Sequence, residues 1–212
     1  MTVWFTSDPH VGHRLVAAKR GFASVTDHDA AVLASITDRV RKDDQVWWLG
    51  DLTVGNPSAA LALIAQVPGE HHLIAGNHDH CHPRHRDAHT WQRTYLDVFT
   101  SVAATARRRI AVPDGPTTHT RVDLLLSHYP YATGDGHADH LDHDGNPQVR
   151  DRQWRLPDEG AWLLHGHTHL ADQRVHLNTA GVLRQLHVGW DAWRRPVSLA
   201  EVTAILASVP PL

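Results

Sequence analysis

The sequence predicts an α/β protein, and three observations carry that reading. Short apolar runs suited to buried strands alternate along the chain with stretches of helical period. Five of those runs end in a cluster of Asp, Asn or His residues. The 212 residues pass without an internal repeat, a low-complexity tract or an interdomain linker, which suits a single domain over 1–212 with a sizeable core.

Taken in order, Thr2 to Thr6 is a short strand followed at once by Ser7, Asp8, Pro9 and His10. Thr26 to Asp29 has the spacing of a capping box, and Leu33, Ile36 and Val40 continue it as one apolar helix face. Gln45 to Leu49 is the next strand and ends in Gly50 and Asp51. Asn56 before Pro57 is a favourable N-cap and first-turn pair. Leu61 and Ile64 carry that helix, and Pro68 with Gly69 stops it. His71 to Ala75 is a third strand, ending in Gly76, Asn77, His78 and Asp79. A helix is expected over 88–98. Val102 to Val112 reads as one strand, with Arg107, Arg108 and Arg109 on an edge or solvent face. Val122 to Leu126 leads into Ser127 and His128. Residues 131–160 form a polar stretch rich in Gly, Asp, His and Pro, and a loop of that length is usually functional or disordered. Ala161 to Leu164 leads into His165, Gly166, His167, Thr168 and His169. Arg184 to Val188 reads as the last strand, and Ser198 with Glu201 opens a final amphipathic helix.

Composition narrows the function. Twenty Lys and Arg against 23 Asp and Glu give a formal charge of −3, which disfavours a chain built to coat nucleic acid, so no stable nucleic-acid complex is expected. The one cysteine, Cys81, excludes an internal disulfide framework and a thiolate-rich zinc site. No apolar run reaches the ~18 residues of a membrane span. The opening residues lack a signal-peptide pattern, and a cytoplasmic location is expected. Histidine is the unusual feature: 20 residues, as many as Lys and Arg together. Histidine is the commonest metal ligand and the commonest acid–base group, so position decides which of them matter.

In open α/β sheets, ligands bind beyond the carboxyl ends of the strands. If the five strands share a sheet and a direction, Asp8/His10, Asp51, Asn77/His78, His128 and His167/His169 converge on one rim. Each has a plainer reading alone. Asp8 and Asp51 could cap helices, Asn77 could serve a turn, and His128 could be a core or surface histidine. In series at five strand ends, they point to a metal site. His80, Cys81, His82, His85 and His89 lack the spacing of a zinc site. His13 either starts a helix or faces the site from the first loop. Trp47 and Trp48 read as core.

The series resembles the calcineurin-like metallophosphoesterases, whose motifs run Asp-x-His, Gly-Asp, Gly-Asn-His-Asp, a lone His after an apolar strand, and Gly-His-x-His. Here they stand as Asp8-Pro9-His10, Gly50-Asp51, Gly76-Asn77-His78-Asp79, His128 and Gly166-His167-Thr168-His169. The segments Trp4 to His13 and Val188 to Trp193 are similar to small bacterial and phage members, with His187 standing where those relatives tend to carry Asn.

The resemblance implies two packed β-sheets flanked by helices, a four-layer α/β/β/α sandwich, and hydrolysis of phosphate esters at a dinuclear metal centre. Asp8, His10, Asp51 and His169 would hold one divalent ion, and Asp51, Asn77, His128 and His167 the other. Donors without a thiolate suit Mn²⁺, with Fe, Ni²⁺ and Zn²⁺ as alternatives. His78 would donate to the leaving oxygen, and Asp79 would orient its ring and favour the imidazolium. The expected substrate is a small phosphorylated molecule. Phosphodiesters such as 2′,3′-cyclic nucleotides come first, and phosphomonoesters or nucleotide pyrophosphates are the alternative, with residues 131–160 shaping access. An inactive interaction scaffold would lack a ligand or His78, and none is missing.

Overall fold

The computed structural model describes residues 1–132, 151–171 and 184–209, together with the backbone of 140–141, 147–148 and 175–176. The chain runs β1 (Val3–Thr6), α1 (Arg14–Lys19), α2 (Val25–Thr37), β2 (Gln45–Trp48), α3 (Pro57–Ile64), β3 (Glu70–Ile74) and α4 (Ala88–Leu96). It continues through β4 (Ser101–Ala103), β5 (Thr105–Pro113), β6 (His119–Ser127), β7 (His140–Leu141), β8 (Pro147–Gln148) and β9 (Trp162–His165). β10 (Val175–His176), β11 (Gln185–His187), α5 (Trp190–Trp193), β12 (Val197–Ser198) and α6 (Leu199–Ser208) complete it.

Two mixed sheets are flanked by helices. The first has the order β12-β1-β2-β3-β4, parallel except for β12. The second has the order β10-β11-β9-β6-β5, with β11, β9 and β6 parallel. The five ligand-bearing strands therefore do not share one sheet. β1, β2 and β3 belong to the first, β6 and β9 to the second, and two sets of carboxyl ends meet at one rim.

Alternation explains the layers. Val3 and Phe5 of β1 face the second sheet, where they join Ile74, Leu124, Leu126, Trp162 and Leu164 in the core between the sheets. Trp4 points the other way, into a second core of Val32, Ile36, Val46, Trp48, Leu61, Ile64, Leu73 and Tyr95 beneath α2, α3 and α4. Both faces of the first sheet are covered, which is why its strands read as continuous apolar runs. Val202 and Leu206 of α6 close the inter-sheet core beside Ile110 and Val112. On the far face of the second sheet, Leu125 and Leu163 pack against Tyr131 and Leu156. Each fully buried Leu contributes about 1.5–3 kcal/mol.

The structure corrects several boundaries. Helix α2 is capped by Ser24, whose hydroxyl accepts from the Asp27 N–H at 3.0 Å, and not by Thr26, which lies inside the first turn. Residues 102–112 are two strands, because the chain leaves the first sheet after Ala103 and enters the second at Thr105. Arg107 and Arg109 reach Asp123 on the solvent side of edge strand β5, while Arg108 turns inward over the Trp47 ring at 5.3 Å. Trp48 is core, as expected, and Trp47 is partly covered by His72 stacked at 4.5 Å. Gln185–His187 is not the last strand, since β12 comes after it and pairs with β1. Helix α1 is additional. The Ser198–Glu201 capping box is present. Within 131–160 the described residues include the β7–β8 pair and a 3₁₀ turn at Arg152–Trp154; most of residues 133–150 lie outside the described residues.

The two candidate caps of α2 can be separated by substitution. Ser24→Ala should cost about 1 kcal/mol, a fall in melting temperature of about 2–4 °C. Thr26→Ala should stay within about 0.5 kcal/mol. Thermal melts of both variants check this, and a larger loss for Thr26→Ala would restore the sequence-based boundary.

Candidate metal centre

Each ligand-type residue sits just past the carboxyl end of a strand. Asp8 and His10 follow β1, Asp51 follows β2, Asn77 follows β3, His128 follows β6, and His167 and His169 follow β9. The connecting loops are hydrogen-bonded to one another. The Asp8 N–H donates to Gly50 O at 3.0 Å, Val11 N–H to Leu52 O at 2.8 Å, and Gly166 N–H to His128 O at 3.0 Å. Asp8, His10, Asp51, His167 and His169 all have φ between 50° and 70°. Few non-glycine residues adopt that left-handed region, and a group of them at one place marks a backbone held by its surroundings. Gly76 and Gly166 show why glycine stands before these ligands. A Cβ on Gly76 would lie 2.9 Å from His128 Cε1 and nearer still to the Asp51 carboxylate. One on Gly166 would strike Ser7 Oγ and Asp8 Oδ2.

The side chains form two clusters. In the first, Asp8 Oδ1 lies 3.9 Å from His10 Nε2 and 3.8 Å from His169 Nε2, and the two imidazole nitrogens are 3.1 Å apart. In the second, His128 Nε2 lies 3.1 Å from Asn77 Oδ1, 3.1 Å from His167 Nδ1 and 3.5 Å from Asp51 Oδ1. Asp51 faces both, with its Oδ2 3.8 Å from His10 Nε2. Asp8, His10, Asp51, Asn77, His128 and His167 are all buried, and His169 is the exposed ligand.

The donor set asks for a cation. His128 Nδ1–H donates to Leu49 O at 2.7 Å, which leaves the Nε2 lone pair facing the Asp51 carboxylate. Burial pushes His128 down to about 3 and His167 down to about 4, so both are neutral near pH 7. His10 is lowered too, by burial and by the neighbouring His169. Burial, Asp8 and Asp79 raise the Asp51 carboxyl well above the usual carboxylate range. Among the described residues no Lys or Arg side chain forms an ion pair with Asp8 or Asp51. Converging oxygen and imidazole lone pairs, with no Lys or Arg paired to the carboxylates, fit a divalent metal centre.

The profile of the calcineurin-like phosphoesterases matches residues 1–171. The chain belongs to that family. The phosphoesterase is 42% identical over 206 residues to the Gene 66 protein of Mycobacterium phage L5, covering 94% of this chain and 91% of the relative. It is 42% identical over 210 residues to the Gene 66 protein of Mycobacterium phage D29, covering 98% and 96%. The solved structure of AQ665 from Aquifex aeolicus, a protein of unknown function, superposes with a TM-score of 0.58 at 21% identity, covering 96% of this chain and 98% of that one. That likeness concerns the fold. The phosphoesterase is a metal-dependent hydrolase of phosphate esters, and among the described residues no helix is long and apolar enough to cross a membrane.

Asp79 is placed differently from the expectation. Its carboxylate accepts from Gly76 N–H at 2.8 Å and from Asp51 and Leu52 N–H at 3.0 Å each, and it is fully buried. It clamps the loops after β2 and β3 and does not orient His78. The His78 ring instead lies with its Nε2 3.8 Å from Asp51 Oδ2, and the His78 backbone N–H donates to Asp51 Oδ1 at 2.9 Å. Burial, His13 and Arg84 lower the His78 pKa, so the expected bias toward imidazolium is absent. His13 caps α1: its Nδ1 accepts from Val16 N–H at 2.9 Å, and its ring centroid stays 5.6 Å from that of His10. Beside the site, Arg84 pairs with Asp151 at 3.1 Å and His82 packs on Trp154 at 5.3 Å, joining the described end of the 131–160 stretch to the loop of His78. The side chains of His140 and Arg150, in the 131–160 stretch expected to shape access, lie outside the described residues. Sequence reasoning missed Asp191, whose Oδ2 accepts from His169 Nδ1–H at 2.8 Å. The signal was the segment Val188 to Trp193, which carries a family likeness without naming a partner for Asp191.

If Asp79 is a backbone clamp, Asp79→Ala leaves three buried N–H groups without an acceptor. The expected result is a stability loss of about 3 kcal/mol or more, together with weaker divalent-metal retention. Urea unfolding and metal analysis check this. Unchanged stability with only turnover reduced would return Asp79 to an orienting role.

Proposed function

We propose that the centre holds two divalent ions, Mn²⁺ by preference, and hydrolyses small phosphodiesters, 2′,3′-cyclic nucleotides among them. The observation that carries the two-ion reading is Asp51. One of its oxygens faces His10 and the other faces His128, so a single carboxylate serves both clusters. Asp8, His10 and His169 would complete one set of ligands, and Asn77, His128 and His167 the other. The lone cysteine supports an oxygen- and nitrogen-ligated ion, since burial keeps the Cys81 thiol protonated. When bound, the ions supply Lewis acidity toward the phosphate oxygens and lower the pKa of water.

The protein's own groups supply the rest. His78, with 42% of its side chain exposed, stands at the mouth beside Asp51 and can hydrogen-bond the phosphate and hand a proton to the departing oxygen. Substrate anion next to the ring favours its charged form, opposing the burial that lowers it. With Nδ1 accepting from Val16, His13 carries its proton on Nε2 and offers a donor on the His10 side of the mouth. The exposed edges of His78, His169 and Arg84 support an opening that admits small substrates.

Assays of phosphodiesters, phosphomonoesters and nucleotide pyrophosphates with Mn²⁺ should give the highest kcat/KM on a diester. A monoester or pyrophosphate in first place overturns the substrate class. His78→Asn should lower turnover by about 10²–10⁴ with metal retained. The loss should be largest for alkoxide leaving groups and smallest for p-nitrophenolate. An equal loss on every leaving group reduces His78 to a phosphate-binding residue, and loss of metal makes it a ligand.

A further inference from the structure

Arg20 caps the C-terminus of α1, and its side chain is 3% exposed. Arginine has five N–H donors in a rigid fork, and here all five are used. Nε and Nη2 donate to the two oxygens of Asp191 at 2.8 and 2.6 Å. Nη2 also donates to Asp8 O at 2.8 Å, and Nη1 donates to Pro9 O at 3.1 Å and to His28 Nε2 at 2.9 Å. The fork lies over the Trp190 ring at 5.0 Å. Because His28 accepts at Nε2, its proton sits on Nδ1 and is donated to Asp29 at 2.8 Å. Asp29 in turn accepts from Gly12 N–H at 2.9 Å. One guanidinium thus holds the carbonyls of Asp8 and Pro9 directly and the N–H of Gly12 through two intermediaries. Those atoms bracket the turn on which Asp8 and His10 adopt φ of 56° and 50°.

The same group reaches the other end of the first cluster. Asp191 Oδ2 takes the His169 Nδ1 proton, which leaves the Nε2 lone pair on the side of His10 and Asp8. The second cluster is supported otherwise. His128 leans on Leu49 O, and the Asn77 backbone carbonyl accepts from His85 Nε2–H at 2.9 Å. None of Arg20's hydrogen bonds goes to those residues.

We propose that Arg20 and Asp191 are positioning residues for one half of the centre: they set the Asp8–His10 turn and the His169 tautomer, and so tune metal affinity at the first cluster alone. Lysine cannot replace the arginine, because it lacks the planar fork that reaches Asp191, two carbonyls and His28 together. The inference rests on the two-ion reading above.

Mn²⁺ titration by equilibrium dialysis, with electron paramagnetic resonance of the bound ion, tests it on the wild type, Arg20→Lys and Asp191→Asn. Outer-shell partners of this kind are typically worth 10–100-fold in metal affinity. Each variant should therefore hold one ion as tightly as the wild type and the other about 10–100-fold more weakly. At a free Mn²⁺ that saturates the wild type, the spin-coupled signal should give way to that of an isolated ion. In a His128→Ala background, Asp191→Asn should weaken the remaining ion; in a His10→Ala background it should change nothing further. Equal weakening of both ions, or no weakening, overturns the positioning role while leaving the dinuclear reading intact. A wild type that binds a single ion overturns the dinuclear reading itself. Metal-free melts accompany the titration: if neither variant melts cooperatively, the network serves the fold and the proposal fails.

Discussion

Asp8, His10, Asp51, His167 and His169 stand in the left-handed region of backbone space, at a cost of order 1–3 kcal/mol each. Such strain persists only where the surroundings over-determine the chain, and here the surroundings are the neighbouring loops. Parallel pairing of β1, β2 and β3 brings three carboxyl ends side by side, and parallel β6 and β9 do the same in the other sheet. Each turn then finds its hydrogen-bond partners in the next turn. The Asp79 carboxylate gathers three N–H groups from the loops after β2 and β3. The strand order, the glycines at close approaches and the buried clamp all answer the same demand, which is to aim seven side chains from short turns at two points.

That geometry concentrates charge. Asp8, Asp51 and Asp79 are buried in mutual electrostatic reach, and burial first and then one another raises Asp51. Asp8 goes the other way: burial opposes ionisation, but His169, His128, His187 and the Ser7 hydroxyl lower it. The neighbouring histidines other than His169 are driven toward neutrality, so they cannot serve as counter-ions. His169 alone is shifted toward its charged form, one imidazolium against two carboxylates, and two divalent ions against Asp8 and Asp51 would leave a positive field open toward solvent at His78 and His169. A phosphate anion is the complement of such a field. The arrangement that makes the protein-only site unfavourable is what prepares it for an anionic substrate.

The strand ends were legible in sequence because the ligands are polar interruptions of apolar runs, and because close packing admits only glycine before Asp51, Asn77 and His167. Asp51 and His128 are examples of the first, and Gly76 and Gly166 of the second. What was not legible depended on contacts distant in sequence. Thr26-x-x-Asp29 and Ser24-x-x-Asp27 are equally good caps locally, and the choice falls to Ser24 because His28 must turn inward to meet Arg20. The break at Ala104 carries no Gly or Pro, since the chain only changes sheets there. Asp79 beside His78 invites a pairing, but adjacent residues in a tight turn point apart, and its carboxylate is consumed by backbone. Asp191 and Arg20 lie far apart in sequence, and nothing in either neighbourhood names the other.

The family profile ends at residue 171, just past the last ligand, His169. The centre nevertheless depends on the chain beyond that point. β11 pairs with β9 and holds His165 through the Val188 N–H at 2.8 Å, so the strand carrying His167 and His169 is interior only because the later chain covers it. β12 closes the edge beside β1, and Trp190 N–H donates to Ser7 O at 3.0 Å, immediately before Asp8. Asp191 then reaches back to His169 and Arg20. Residues up to 171 hold every ligand, but residues 184–209 supply the hydrogen bonds and the sheet edge that keep the first cluster in its strained backbone. The chemistry and its mechanical support are thus written in different parts of the chain.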